Sequence, residues 1–204
     1  MGSKPLFPAD TRGAILEAAL QAFSEKGFTA TTLDEITSRA GVSKGMAYYY
    51  FRNKDELFLF VMKESLGSLE QSLRDELALA KEIHEKMARF VALVTSTFLE
   101  YPALYRVLVS HVWQLAEKYP HDVVLARSSF LEPLTAALRD ARAAGEISAS
   151  VNPDLVAPIL FGAVAHAVMH NELLGLGLSS ADIVQQVWMT IALCYQAHNA
   201  EERP

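Results

Sequence analysis

The chain has 204 residues, enough for one compact domain with a generous core or for a small domain joined to a larger one. Hydrophobic residues make up 51% and charged residues 21%, which excludes a disordered or collagen-like chain. No run of eighteen apolar residues lacks a charge or a turn signal and the first ten residues hold no secretory apolar core, so the expectation is a cytoplasmic protein that does not enter a membrane.

The formal net charge of −6 argues at first against a nucleic-acid partner. Its distribution reverses that reading. Residues 1–60 carry seven Lys plus Arg and seven Asp plus Glu, so the rest of the chain holds the whole excess. Between Ile36 and Lys54 stand Arg39, Lys44, Arg52 and Lys54 with no acid among them, a local basic patch on an acidic protein. The single cysteine, Cys194, has no disulfide partner and reads as a small buried hydrophobe.

In chain order, Ile15, Leu16, Ala19, Leu20 and Phe23 recur at helical spacing after Asp10, and the pattern stops at Gly27. Thr32 and Glu35 have the spacing of a capping box, opening a second helix that Gly41 ends. Ser43 caps a third, short helix, Lys44 to Phe51. Two short helices joined by a Gly-containing turn make a helix-turn-helix. From Lys54 the spacing of Leu57, Phe58, Val61, Met62, Leu66, Leu69, Leu73 and Leu77 predicts one long helix. Further helices are expected at about Ile83 to Tyr101, Ala103 to Lys118 and Asp122 to Ala144, with Tyr101-Pro102, Tyr119-Pro120 and Gly145 at their ends. Asn152-Pro153 opens a helix to about Leu174, and Ser179 with Asp182 opens the last, to about His198. No strand-like alternation competes. The fold class is therefore all-α, about nine helices, with a reading head at residues 1–53 and a larger helical domain at residues 54–204.

The string from Gly41 through Val42, Ser43, Lys44, Gly45, Met46, Ala47, the three tyrosines and Phe51 to Leu57, preceded by Gly27-Phe28 and Thr31 to Ile36, strongly resembles the N-terminal domain of the tetracycline-repressor-like (TetR) family. The resemblance covers about residues 10–58; one departure is Ala47, where the family commonly has a bulkier apolar residue. It implies a dimeric repressor that binds operator DNA and lets go when a small molecule binds the C-terminal domain. Phosphate positioning needs hydroxyls, amides and bases at the rim of the recognition helix, and Thr32, Ser43, Tyr48, Tyr50 and Lys54 supply them. By analogy with the family, Lys44, Gly45, Met46 and Tyr49 are the base-reading candidates. Three consecutive tyrosines point about 100° apart on a helix, so they cannot all be buried; Phe51 is expected in the core.

Two rival classes compete with this reading. An enzyme would need a nucleophile, base or metal arrangement, and no Gly-x-Gly-x-x-Gly, Walker or Gly-x-Ser-x-Gly motif occurs. His166 and His170, four apart, could share a metal with Glu172 or another His as third ligand, but without a His-Glu-x-x-His pattern they read as packed or hydrogen-bonded histidines, as do His84, His111, His121 and His198. No catalytic residue, metal or cofactor is expected. The alternative is a helical ligand-binding or scaffold protein without DNA binding, which the intact head disfavours. A small apolar or amphipathic effector is expected between the C-terminal helices, lined by Phe98, Tyr105, Trp113, Phe130 and Met169 with His111, Gln114 and His166 as polar anchors. The same residues would equally fill an ordinary core. A homodimer is expected through the last two helices, from the small-residue segment Phe161 to Met169 and the apolar stripe Val184, Val187, Trp188, Ile191 and Tyr195.

Overall fold

The computed structural model describes the backbone of residues 6–111, 116–117 and 119–201, and their side chains except 110–111 and 192–201. Trp113 and Gln114 lie outside the described residues, as do the side chains of His111, Cys194, Tyr195 and His198. Among the described residues every regular element is helical: α1 (Thr11–Ala30), α2 (Leu33–Ala40), α3 (Lys44–Tyr50), α4 (Lys54–Ala78), α5 (Ile83–Glu100), α6 (Pro102–Arg106), α7 (Pro120–Ala143), α8 (Pro153–Leu174) and α9 (Ser180–Glu201).

Most boundaries follow from local chemistry. Asp10 accepts from the Gly13 N–H at 2.7 Å and starts α1, and α1 is broken at Gly27, whose φ is 76°. Gly41, at φ 68° and ψ 28°, takes the left-handed conformation that lets α2 turn sharply. Asn152 accepts from the Asp154 N–H at 3.1 Å, with Pro153 in the first helical turn. At α9 the capping box is complete: the Asp182 N–H donates to Ser179 Oγ at 3.3 Å, and the Ser179 N–H donates back to Asp182 at 2.9 Å. At α2 it is half made. Thr32 accepts from the Glu35 N–H at 3.2 Å, but the Glu35 carboxylate is drawn away by Lys26, which donates to it at 2.7 Å.

One expected helix differs. Instead of running unbroken from Ala103, α6 gives way after Arg106 to a π-helical turn, Val107–His111. Pro133 lies inside α7 and removes one i to i−4 hydrogen bond there.

The chain divides into two compact units, residues 1–72 with 101–132 and residues 73–100 with 133–204. In the first, α1 packs on α2 and on α6 with its π turn, around buried Ile15, Leu16, Leu20, Phe23, Ile36, Phe51, Leu57 and Phe58. Phe23, Phe28 and Phe58 form an aromatic cluster with centroids 4.9 to 5.7 Å apart. In the second, α5, α8 and α9 pack on one another. By length and composition α8 could cross a membrane, but one face, with Ala157, Leu160, Phe161, Val164, Ala165 and Val168, is buried in this core, and the other carries His166 and His170.

Candidate nucleic-acid interface

The head builds its exposed face by burying one residue of α3 and the residue that caps its end. Ala47 and Phe51 are each 1% exposed, so they anchor the helix while the other residues point away from the core. Ser43 caps it, its hydroxyl accepting from the Met46 N–H at 3.3 Å. Lys44, Gly45 and Met46 are exposed, Tyr48 is exposed, Tyr49 is 80% exposed, and Tyr50 is half-buried with its ring edge-on to Tyr49 at 5.1 Å. Thr32 is exposed beside them at the start of α2. An exposed aromatic this large, on a short helix held by a turn, has an apolar plane and a hydroxyl to offer a groove.

The basic patch is acid-free along the chain but not in space. Arg39 donates to both oxygens of Glu25 at 2.7 Å, tying α2 to α1; this bidentate pair holds the Glu25 carboxyl below its usual pKa. Lys44 pairs with Asp34, its ammonium 2.6 Å from the nearer carboxylate oxygen, and that hydrogen bond raises the lysine above its ordinary pKa.

The Lys54 ammonium, expected at a DNA phosphate, donates in this structure to the carbonyls of Phe28 at 2.7 Å, Thr29 at 3.2 Å and Thr31 at 2.7 Å, and sits 4.5 Å from the centre of the Phe28 ring. An ammonium has three N–H donors, and three carbonyls at the end of α1 stand within hydrogen-bond reach of them. Arg52 is the base left over. It is exposed, only its backbone N–H is engaged, with Glu56 at 2.5 Å, and its guanidinium has no partner among the described residues. Sequence reasoning counted Arg52 in the patch without assigning it a contact; its place directly after the buried Phe51 was the available signal.

Among the described residues, those expected to line the effector site fall in both units. Phe98 is 2% exposed and stacks edge-on to Phe161 at 5.5 Å in the second unit, whereas Tyr105 and Phe130 are buried in the first. Met169 is half-buried, and His166 lies on the exposed face of α8. None of these lines the cavity of about 460 Å³ that opens between α4 and the first half of α7. Its walls are Leu59, Phe60, Met62, Leu66, Val123 and Leu125, with Glu56, Lys63, Glu70 and Asp122 among its polar groups. No group of three metal-binding side chains occurs among the described residues.

Of the residues expected at the dimer seam, Phe161, Val164, Ala165, Val168 and Val187 are buried inside the second unit, and Val184, Trp188 and Ile191 are half-buried. The exposed stripe of α8 is Leu155, Ile159, Ala163, His166, His170 and Leu173, with Met189 exposed on α9.

Known proteins show the same arrangement. Residues 15–61 match the family described as bacterial regulatory proteins, tetR family, and residues 80–169 match the tetracyclin repressor-like C-terminal domain. The uncharacterised HTH-type regulator YhgD of Bacillus subtilis is 35% identical over 80 residues, 39% of this chain and 42% of that protein. The repressor NicS of Pseudomonas putida is 31% identical over 103 residues, 49% of this chain and 47% of that protein; the chain thus spans under half the length of these two relatives. In structure, the FadR regulator of Bacillus subtilis in complex with stearoyl-CoA superposes with a TM-score of 0.78 at 21% identity, covering 88% of this chain and 95% of that one. A Clostridium perfringens fatty acid metabolism regulator gives 0.77 at 26% identity, covering 85% and 94%. With both halves of the chain matched in order, a helix-turn-helix whose recognition helix is exposed, and regulators as its relatives, the chain belongs to the TetR family of DNA-binding transcriptional regulators.

Proposed function

We propose that the protein is a ligand-responsive repressor that binds a pseudo-palindromic operator as a homodimer and is released by a small apolar or amphipathic effector. The observation that carries the reading is the exposed face of α3, where Lys44, Gly45, Met46, Tyr48 and Tyr49 project beyond the buried Ala47 and Phe51. Met46 offers an apolar contact for a thymine methyl, Lys44 a donor for guanine, and Tyr49 reach into the groove. Thr32, Ser43, Tyr48, Tyr50 and Arg52 stand where they would touch phosphates. Residues 1–53 serve as the reading head and residues 54–204 as the effector and dimerisation part.

The dimer reading rests on the exposed apolar residues of the last two helices: Leu155, Ile159, Leu173 and Leu174 on α8 and Met189 on α9. Apolar side chains left open along one helix face are costly in water and mark an interface. Two heads on a two-fold axis would read half-sites about 34 to 36 Å apart.

For the effector, the cavity along α4 has a volume within the usual range for small-molecule sites, about 300 to 1,000 Å³. It also bears on the helix that follows the head directly. A ligand preferring a different setting of α4 would lower DNA affinity by its differential affinity for the two conformations, and by reciprocity DNA would lower the ligand's. The stearoyl-CoA of the FadR structure makes acyl-bearing molecules the first to test.

Selection of duplexes from a random library, followed by mobility shift on the enriched sequence, tests the whole reading. An inverted repeat bound by a protein twice the 22.5 kDa chain mass and released by an acyl-CoA is the expected result. Failure to enrich any sequence would refute it.

A further inference from the structure

The Lys44–Asp34 pair presents a problem for a DNA-reading face. Both side chains are well exposed, at 57% and 66%, so the pair adds little to stability. Asp34 nevertheless puts a carboxylate beside the residue best placed to meet DNA, where it would face a polyanion.

We propose that Asp34 is a specificity-determining residue: it withholds the Lys44 ammonium from indiscriminate phosphate contact and allows its use where a G·C pair serves both members of the ion pair. The inference rests on the DNA-reading role of α3. If Lys44 turns to a phosphate, it abandons an ion pair 2.6 Å long and leaves Asp34 unpaired against the backbone charge. That is a repulsive element acting on every wrong site. At a G·C pair the penalty is lifted, because guanine O6 and N7 accept from an ammonium while cytosine N4 donates to a carboxylate on the same major-groove edge. An A·T pair lacks this combination of two adjacent purine acceptors and a pyrimidine donor.

The geometry suits the role. Asp34 lies in the first turn of α2 and Lys44 opens α3, so the pair bridges the two helices of the helix-turn-helix. Among the described residues no other hydrogen bond or ion pair competes for the Lys44 ammonium, and the Asp34 carboxylate accepts from Lys44 alone. Arg39, by contrast, is held by Glu25 with two hydrogen bonds and is not free to act in this way.

The test compares the wild type with Asp34→Asn, Lys44→Gln and the double variant by fluorescence anisotropy over a range of KCl concentrations. The probes are the duplex enriched by the wild type from a random library and a shuffled duplex of the same length. Asp34→Asn is expected to bind the shuffled duplex about two- to fivefold more tightly, with a salt slope steeper by about 0.9 per head, while the enriched duplex gains nothing. The specificity ratio falls accordingly. In the Lys44→Gln background the slope change from Asp34→Asn should vanish, which a merely structural effect of Asp34 on α2 would not produce. An unchanged ratio and slope in Asp34→Asn, or the same slope change with and without Lys44, would overturn the inference while leaving the DNA-reading proposal intact. If the wild type enriches no sequence, both fall together.

Discussion

Replacing Lys54 with methionine keeps much of the aliphatic stem and removes the ammonium that three carbonyls share and that lies over the Phe28 ring. A hydrogen bond from a charged donor contributes about 1.5 to 3 kcal/mol net. The three are not additive, because the Thr29 contact is long and exposed and water can reach the freed carbonyls. A loss of about 2 to 4 kcal/mol is therefore expected, nearer the worth of one or two such bonds. For a chain of this length that lowers Tm by roughly 4 to 16 °C. Circular dichroism melting reads the stability and anisotropy on two unrelated duplexes reads the binding. DNA binding should fail only as the head unfolds, alike on both duplexes. Lys54→Arg should rescue little, because a planar guanidinium presents its donors in a fork and not as a compact cap. A Lys54→Met protein that melts like the wild type but binds every duplex more weakly would refute the reasoning and return Lys54 to a phosphate contact.

Gly13 allows the segment before α1 to lie against the helix: a Cβ there would come 1.8 Å from the Pro8 carbonyl oxygen. Gly13→Ala should lift Leu6 and Phe7 from the core at a cost of about 3 to 6 kcal/mol for the two side chains, visible as a lower Tm and faster proteolysis before residue 11. Ile159→Glu, on the exposed stripe of α8, should give monomers by light scattering with unchanged helix content; a stable dimer would place the interface elsewhere. Tyr49→Ala should weaken the enriched duplex by about 1 to 3 kcal/mol and a shuffled one far less. Arg52→Ala should weaken both and flatten the salt slope by about 0.9 per head, and an unaltered slope would show that its guanidinium does not reach a phosphate.

Features whose cause is local were legible in the sequence. A cap or a left-handed glycine acts within one helical turn, so Ser43, Asn152, Gly41 and the Ser179–Asp182 box could be placed without knowing the fold. Helical periodicity likewise put Ile15, Leu16, Phe23, Leu57 and Phe58 in the core. The tyrosine run had to leave side chains outside for geometric reasons, and α3 does so with Tyr48 and Tyr49.

The tertiary structure decided what depends on residues far apart in the chain. Glu35 left its capping role because α1 brings Lys26 to it, and Lys54 caps carbonyls 23 to 26 residues earlier. The basic stretch proved largely paired because Glu25 and Asp34, both outside it in sequence, fold against it. Aromatic residues of a pocket and of a core share one composition and one periodicity, so only packing could set Phe98 edge-on to Phe161 and open a cavity at Leu59, Phe60 and Met62. For the same reason α8, apolar on most of its surface, carried no sign of which face is inward; its packing with α5 and α9 settles that and leaves Leu155, Ile159 and Leu173 exposed.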